Sequence, residues 1–175
     1  FYMWSKKRLN IIPNIQSQDK NNRLRLQKAV KIQQPFKMSP SSNEYIVEAK
    51  EYIHKHFKNN YGNTDNFIFP VTHKEANQWL DHFIKYKFSN FGTYQDFIDS
   101  NNAYLYHSLL SSLINIGLIN PQDIISKIVK YKGKIPLNSY EGFIRQLFWR
   151  EYQYYCYIYY DFNKKNYFNN QKRLD

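Results

Sequence analysis

The stretch EGFIRQLFWREY, residues 141–152, holds residue types suited to gripping a flat, charged molecule. Gln146, Trp149 and Arg150 stand at i, i+3 and i+4, with Gly142 one turn before Gln146. On a helix they share one face, while Ile144, Leu147, Phe148 and Tyr155 fall on the other side. A guanidinium offers a fork to phosphate, an indole a stacking plane, an amide a partner for a ring edge, and a bare glycine close approach. A structural account serves as well: Trp149 fills a groove and Arg150 pairs with an acidic neighbour.

A second cluster is His107-Ser108-Leu109-Leu110-Ser111. Polar donors at or near the start of an apolar helix suit an anion, because free backbone N–H groups point at it. Ordinary capping by Ser108 and a satisfied His107 is the alternative. Other chemistries lack support. The five histidines, His54, His56, His73, His82 and His107, show no metal-ligand spacing with acidic or cysteine partners. No nucleophile elbow and no glycine-rich phosphate loop is present.

The elements that must carry these residues read as helices. Residues 1–12 form a short basic helix with Tyr2, Trp4 and Leu9 as anchors. Residues 13–42 read as a linker, where proline and low periodicity argue against a packed element, although LRLQKAVKI alternates enough for a short strand. NEYIVEAKEYIHKHF is amphipathic, apolar at 46, 49, 53 and 57, with Asn43 as cap. Thr72 and Glu75 make a capping box ahead of a stripe of Ala76, Trp79, Leu80 and Phe83. TYQDFIDS is a short helix or a loop. AYLYHSLLSSLINIG is an apolar helix ending on Gly117 at the C′ position. Asn120 caps the next helix, with Pro121 in its first turn and Asp123 near its positive end. A long last helix opens with box spacing from Asn138 to Glu141. Five or six helices with short loops make a mainly α domain.

With 175 residues, 42% hydrophobic and 19% aromatic, the chain can bury one core. A net charge of +11 favours polyanions, above all nucleic acid, with solubility alone as the other reading. The single cysteine, Cys156, cannot build a disulfide, zinc or iron–sulfur site, and suits a reducing, intracellular compartment. No apolar run reaches the ~18 residues of a membrane span. FYMWSKKRLN lacks the apolar segment of a signal peptide and opens inside an amphipathic pattern. That pattern suggests a piece of something longer, or the product of a broken reading frame.

FPVTHKEANQWLDHFI, FGTYQDFI, YLYHSLLSSLINIGLINPQDI and IPLNSYEGFIRQLFWREY, in this order and spacing, resemble the photolyase/cryptochrome superfamily. The similarity points to its deoxyribodipyrimidine photolyase-related branch, the iron–sulfur bacterial cryptochromes and (6-4) photolyases. It runs from about Asn43 to Tyr152, and FYMWSKKRL resembles the segment leaving that family's antenna domain. The resemblance implies a helical FAD-binding domain, here in part (43–162), after an antenna exit helix (1–12) and an extended basic linker (13–42), with a polar tail (163–175). It implies a light-excited flavin that repairs a pyrimidine dimer or (6-4) lesion in DNA, the cofactor carrying the chemistry.

By that resemblance HSLLSSLINIGLINP is the phosphate-binding element. His107 takes a threonine's place, and Ser108, Leu110, Ser111, Gly117 and Pro121 match directly, with Ser112 where many relatives have proline. Tyr94, His107, Ser108, Leu109, Leu110, Ser111, Gln146 and Arg150 are then the cofactor residues, and Gln146 and Trp149 face the lesion. The departures are large. The antenna fold is missing except for its exit, NNRLRLQKAVKIQ replaces a Gly-Gly-Lys-Trp-type stretch, and the four cluster cysteines are absent. The implied product is about half a flavin pocket, inactive alone and completed by a companion chain. A degenerate basic helical DNA-binding module without flavin, or a plain helical scaffold, are the alternatives.

Overall fold

The Thr72–Glu75 spacing starts a helix where expected. Thr72 Oγ1 accepts the Glu75 N–H at 3.3 Å and donates to the Glu75 carboxylate at 3.1 Å. In the computed structural model, which describes residues 1–22 and 43–160, this is α3 (His73–Tyr86). The other described helices are α1 (Tyr2–Leu9), α2 (Asn43–Phe57), α4 (Phe88–Tyr94), α5 (Ser111–Asn115), α6 (Pro121–Ile128) and α7 (Leu137–Tyr159). Turns of 3-10 helix lie at Asp19–Asn21 and Val129–Tyr131. The described residues contain no strand, so the fold is mainly α. The strand considered in LRLQKAVKI and the tail at 163–175 lie outside the described residues.

The stripe Ala76, Trp79, Leu80 and Phe83 is buried as its period requires. Phe83 meets Phe88, Phe91 and Phe143 with ring centroids 4.9–6.0 Å apart, joining α3, α4 and α7 in one aromatic core. Asn120 caps α6 by accepting the Gln122 N–H at 2.8 Å, and Pro121 is its first residue. Ile124 and Ile128 carry α6 into the core.

α4 lies against α7 at Gly92. The Gly92 N–H donates to Ser139 Oγ at 2.9 Å, and that hydroxyl donates to the Ser89 carbonyl at 2.8 Å. A Cβ on Gly92 would fall 2.4–2.5 Å from the Asn138 and Ser139 backbone, so only glycine permits this approach.

Several expectations change. AYLYHSLLSSLINIG is helical only over Ser111–Asn115. Leu105 and Leu109 take positive φ (38° and 56°), which a helix cannot contain. Gly117 does terminate α5 with φ 78°, and the Leu118 N–H returns to the Leu113 carbonyl at 2.9 Å. Helix α4 covers Phe88–Tyr94, so TYQDFIDS, read as a short helix or a loop, is helical only at Thr93 and Tyr94 and is loop beyond them. Asn138 and Glu141 are no capping box: both lie inside α7. Asn138 Nδ2 donates to Asn22 Oδ1 at 3.1 Å and Thr93 Oγ1 at 3.2 Å. Buried Glu141 accepts the Tyr2 hydroxyl and the Gln18 N–H, 3.9 Å from Lys6 Nζ.

The N-terminal arm is thereby fastened to α7. Ile12 and Asn22 are buried, and Tyr140 donates its hydroxyl to the Ile11 carbonyl at 2.9 Å. Within residues 13–22, read as linker, the turn Asp19–Asn21 lies on α4 and α7. In α1 the anchor is Tyr2, whose ring packs near Phe148, whereas Trp4 and Leu9 are exposed. α2 begins at Asn43, and of its apolar positions only Ile46 is half-buried; Ala49, Ile53 and Phe57 stay exposed. No described helix is long and apolar enough to cross a membrane.

Candidate functional site

The long helix α7 and the segment 107–111 converge on one cleft of about 510 Å³. His107, Ser108, Leu109, Leu110 and Ser111 form one wall, and Gln146 and Arg150 the other. Phe91, Ile114, Phe143 and Leu147 give the floor apolar surface, and Gln95 and Asp96 close one end. The volume falls within the range of small-molecule sites, about 300–1,000 Å³.

The wall is shaped by its local geometry. Trp79 Nε1 donates to the Ser108 carbonyl at 2.8 Å, fixing the chain from behind. The left-handed turn at Leu109 then leads into α5 at Ser111. Ser108 caps nothing, because α5 starts three residues later, after Leu110. His107 has its pKa lowered, first by burial and then by Lys87, while Asp96 opposes this. It is therefore a neutral imidazole near pH 7, able to give one N–H and accept at the other nitrogen.

Arg150 is held in place. Its Nη1 lies 2.8 Å from Glu151 Oε1 and its Nη2 donates to Asn115 Oδ1 at 3.1 Å. The acidic neighbour considered from sequence is thus present, and it aims a guanidinium whose fork has further donors.

Two positions fall elsewhere. Tyr94 does not line the cleft: its ring stacks on Tyr106 at 5.1 Å. Trp149 is exposed, stacked on Tyr152 at 5.3 Å, beside a second hollow of about 610 Å³. That hollow is lined also by Phe1, Tyr2, Arg145, Gln146 and Phe148, so exposed Gln146 belongs to both spaces. Gly142, expected to admit a ligand, is buried against protein: a Cβ there would meet Gln95 Oε1 at 3.0 Å and Phe91 at 3.8 Å. Tyr155, assigned to the apolar side of α7, is exposed.

Sequence reasoning missed Gln95, Asp96 and Lys87. Gln95 and Asp96 directly follow Tyr94 in FGTYQDFI, a polar pair at the end of an apolar helix, and that was the available signal. Gln95 Oε1 is buried at the cleft with no hydrogen-bond partner. An orphaned acceptor, hydroxyl and imidazole donors, and a guanidinium suit a long ligand with an anionic part and a polar ring edge. No group of three or more metal-ligating side chains occurs among the described residues.

Comparison with known proteins gives four matches of interest. A family described as "Deoxyribodipyrimidine photo-lyase-related protein" matches residues 1–69. A (6-4) photolyase of Agrobacterium fabrum is 37% identical over 132 residues, 73% of this chain and 26% of that protein. An uncharacterized protein of Acanthamoeba polyphaga mimivirus is 43% identical over 86 residues, 46% of this chain and 66% of that protein. A deoxyribodipyrimidine photo-lyase of Buchnera aphidicola is 31% identical over 100 residues, 55% of this chain and 20% of that protein. The chain thus spans about a quarter of the first of these relatives and a fifth of the last.

Proposed function

We propose that this chain, which belongs to the photolyase-related family, supplies one wall of a FAD site in a protein of light-driven DNA-lesion repair. The observation that carries the reading is the convergence of two distant segments. His107 to Ser111 and Gln146 with Arg150, ligand-type residues by chemistry and spacing, line a single cleft.

When bound, FAD would supply the light absorption and the electron, which no side chain provides. The chain's own part is binding, orientation and exclusion of water. Arg150, fixed by Glu151 and Asn115, and Ser111 present donors to the anionic part of the cofactor. Gln95 and Gln146 offer amides to a ring edge, and Phe91, Phe143 and Leu147 offer apolar floor. Asp96, Ser111 and Gln146 lie at the exposed side of the cleft, so a companion surface must cover the flavin there. Trp149 and Gln146 line the neighbouring hollow, where they would meet a flipped-out base.

The test is a flavin spectrum. The chain is coexpressed with the neighbouring reading frame, purified and scanned for flavin absorption, then titrated with FAD. Bound flavin is expected, with affinity about tenfold weaker in Arg150→Ala, the loss of a charge-assisted contact. A colourless complex that ignores added FAD overturns the reading. A second reading, a basic helical DNA-binding module without flavin, draws on the net charge of +11 and the exposed Trp149–Tyr152 stack.

A further inference from the structure

Lys87 joins α3 to α4 and is 3% exposed. Its Nζ has no hydrogen-bond partner, and no carboxylate among the described residues pairs with it. Burial alone pushes its pKa down to about 8. At pH 7 the ammonium therefore keeps its proton in most molecules. A fold that keeps a charge inside without a partner sacrifices stability, which points to a partner that arrives from outside.

The surroundings say where that partner would lie. Lys87 borders a void of about 10 Å³, walled by Trp79, His82, Phe83, His107, Ser108 and Leu109. This is the back of the 107–109 segment whose front lines the cleft. The void holds about one water at most, so no second anion fits behind the segment. The titratable groups near Lys87 supply no negative charge. His82 on α3 and His107 on the segment are both held below their ordinary pKa, by burial first and then by Lys87. Lys85 adds to the positive field on His82. Asp96 acts on His107 and lines the cleft side.

We propose that Lys87 is a positioning residue for a diphosphate in the cleft: a buried positive charge behind His107-Ser108-Leu109 that is compensated when the anion lies against their front. The proposal rests on the reading of the cleft as a FAD site. Lys87 does not touch the ligand. It acts across one layer of backbone, where little water screens the attraction.

The sign of the pH dependence follows. An anion in front favours the protonated amine, so binding takes up a proton once the free amine begins to lose its own. Affinity is highest below about pH 8 and falls as the pH rises beyond it.

The test uses the full chain, coexpressed with the same companion, as wild type, Lys87→Met and Lys87→Arg. Inorganic diphosphate, FAD and riboflavin are titrated by calorimetry from pH 6.5 to 9.5, the flavins also by fluorescence. Lys87→Met should bind diphosphate and FAD about tenfold more weakly at pH 7, with riboflavin unchanged and Lys87→Arg close to wild type. Against Lys87→Met, which cancels the ligand's own titration, wild type should lose its advantage as pH rises through 8. Equal weakening of riboflavin and FAD would make Lys87 merely structural and overturn the proposal. So would equal diphosphate affinity in all three proteins, or none in the wild type. Wild type that binds diphosphate but not FAD, with the Met variant weakened, upholds Lys87 and sinks the FAD reading. FAD bound equally by wild type and Lys87→Met does the reverse.

Discussion

At the residue scale, two glycines serve packing within the protein, although the context of Gly142 suggests a ligand. Gly142 faces Gln95 and Phe91, and Gly92 faces the backbone of another helix. The second contact is the less forgiving, because Asn138 and Ser139 cannot rotate out of the way as a side chain end can. Gly92→Ala should destabilise the chain by about 3 kcal/mol, read as a lowered urea midpoint at unchanged slope. Gly142→Ala should cost less, since the Gln95 amide can swing aside. A midpoint for Gly92→Ala equal to wild type would mean that α4 and α7 are farther apart than described. Neither neighbour is visible in the sequence, because each contact joins residues about 46 positions apart, Gly92 to Asn138 and Gly142 to Gln95.

At the element scale, legibility followed periodicity and capping chemistry. α3 and α6 were readable because Thr72 and Asn120 accept local N–H groups, Glu75 holds the Thr72 hydroxyl, and a 3.6-residue stripe follows. The 103–117 stretch misled because its apolar run has no local break, yet Leu105 and Leu109 turn the chain through positive φ. One tertiary and one local bond set those turns: Trp79 holds the Ser108 carbonyl from another helix, and Asn102 Oδ1, three residues back, accepts the Leu105 N–H at 2.8 Å. In the same way Asn138 and Glu141 have the spacing of a cap but serve the N-terminal arm. Glu141→Ala removes the acceptor of Tyr2 and Gln18 and takes the carboxylate from beside Lys6, whose Nζ also donates to the Ile15 carbonyl at 3.1 Å. A loss of about 3 kcal/mol is expected, as for breaking a buried pair. Amide exchange should rise first in residues 1–22; uniform exchange across the chain would contradict their fastening to α7. The cleft was legible as a residue set, from the 107–111 cluster and the face of α7. Its Gln95, Asp96 and Lys87 were not, because nothing local marks a residue that tertiary packing turns inward.

At the scale of the whole molecule, charge and uncovered surface decide the partners. A chain of net charge +11 should bind duplex DNA with affinity that falls steeply as salt rises. If the flavin reading holds, the assembled protein should prefer lesion-containing over intact duplex at every salt concentration, in filter binding or anisotropy. Equal affinity for both duplexes, with no flavin, is the signature of the plain DNA-binding module. The exposed Tyr154, Tyr157 and Tyr159 on α7 and Tyr45 and Tyr52 on α2 leave aromatic surface available to a companion or to bases.

The bond from Trp79 to Ser108 has an optical consequence. Of the three tryptophans, Trp4 and Trp149 are 60% and 56% exposed and emit from a wet environment, whereas Trp79 is 3% exposed and stacked on Phe69. Its indole N–H is tied to the wall of the cleft, so displacement of that wall alters the blue-shifted part of the emission. With Trp4 and Trp149 replaced by phenylalanine, the remaining indole would serve as a built-in fluorophore for occupancy of the cleft, including by ligands that absorb no light.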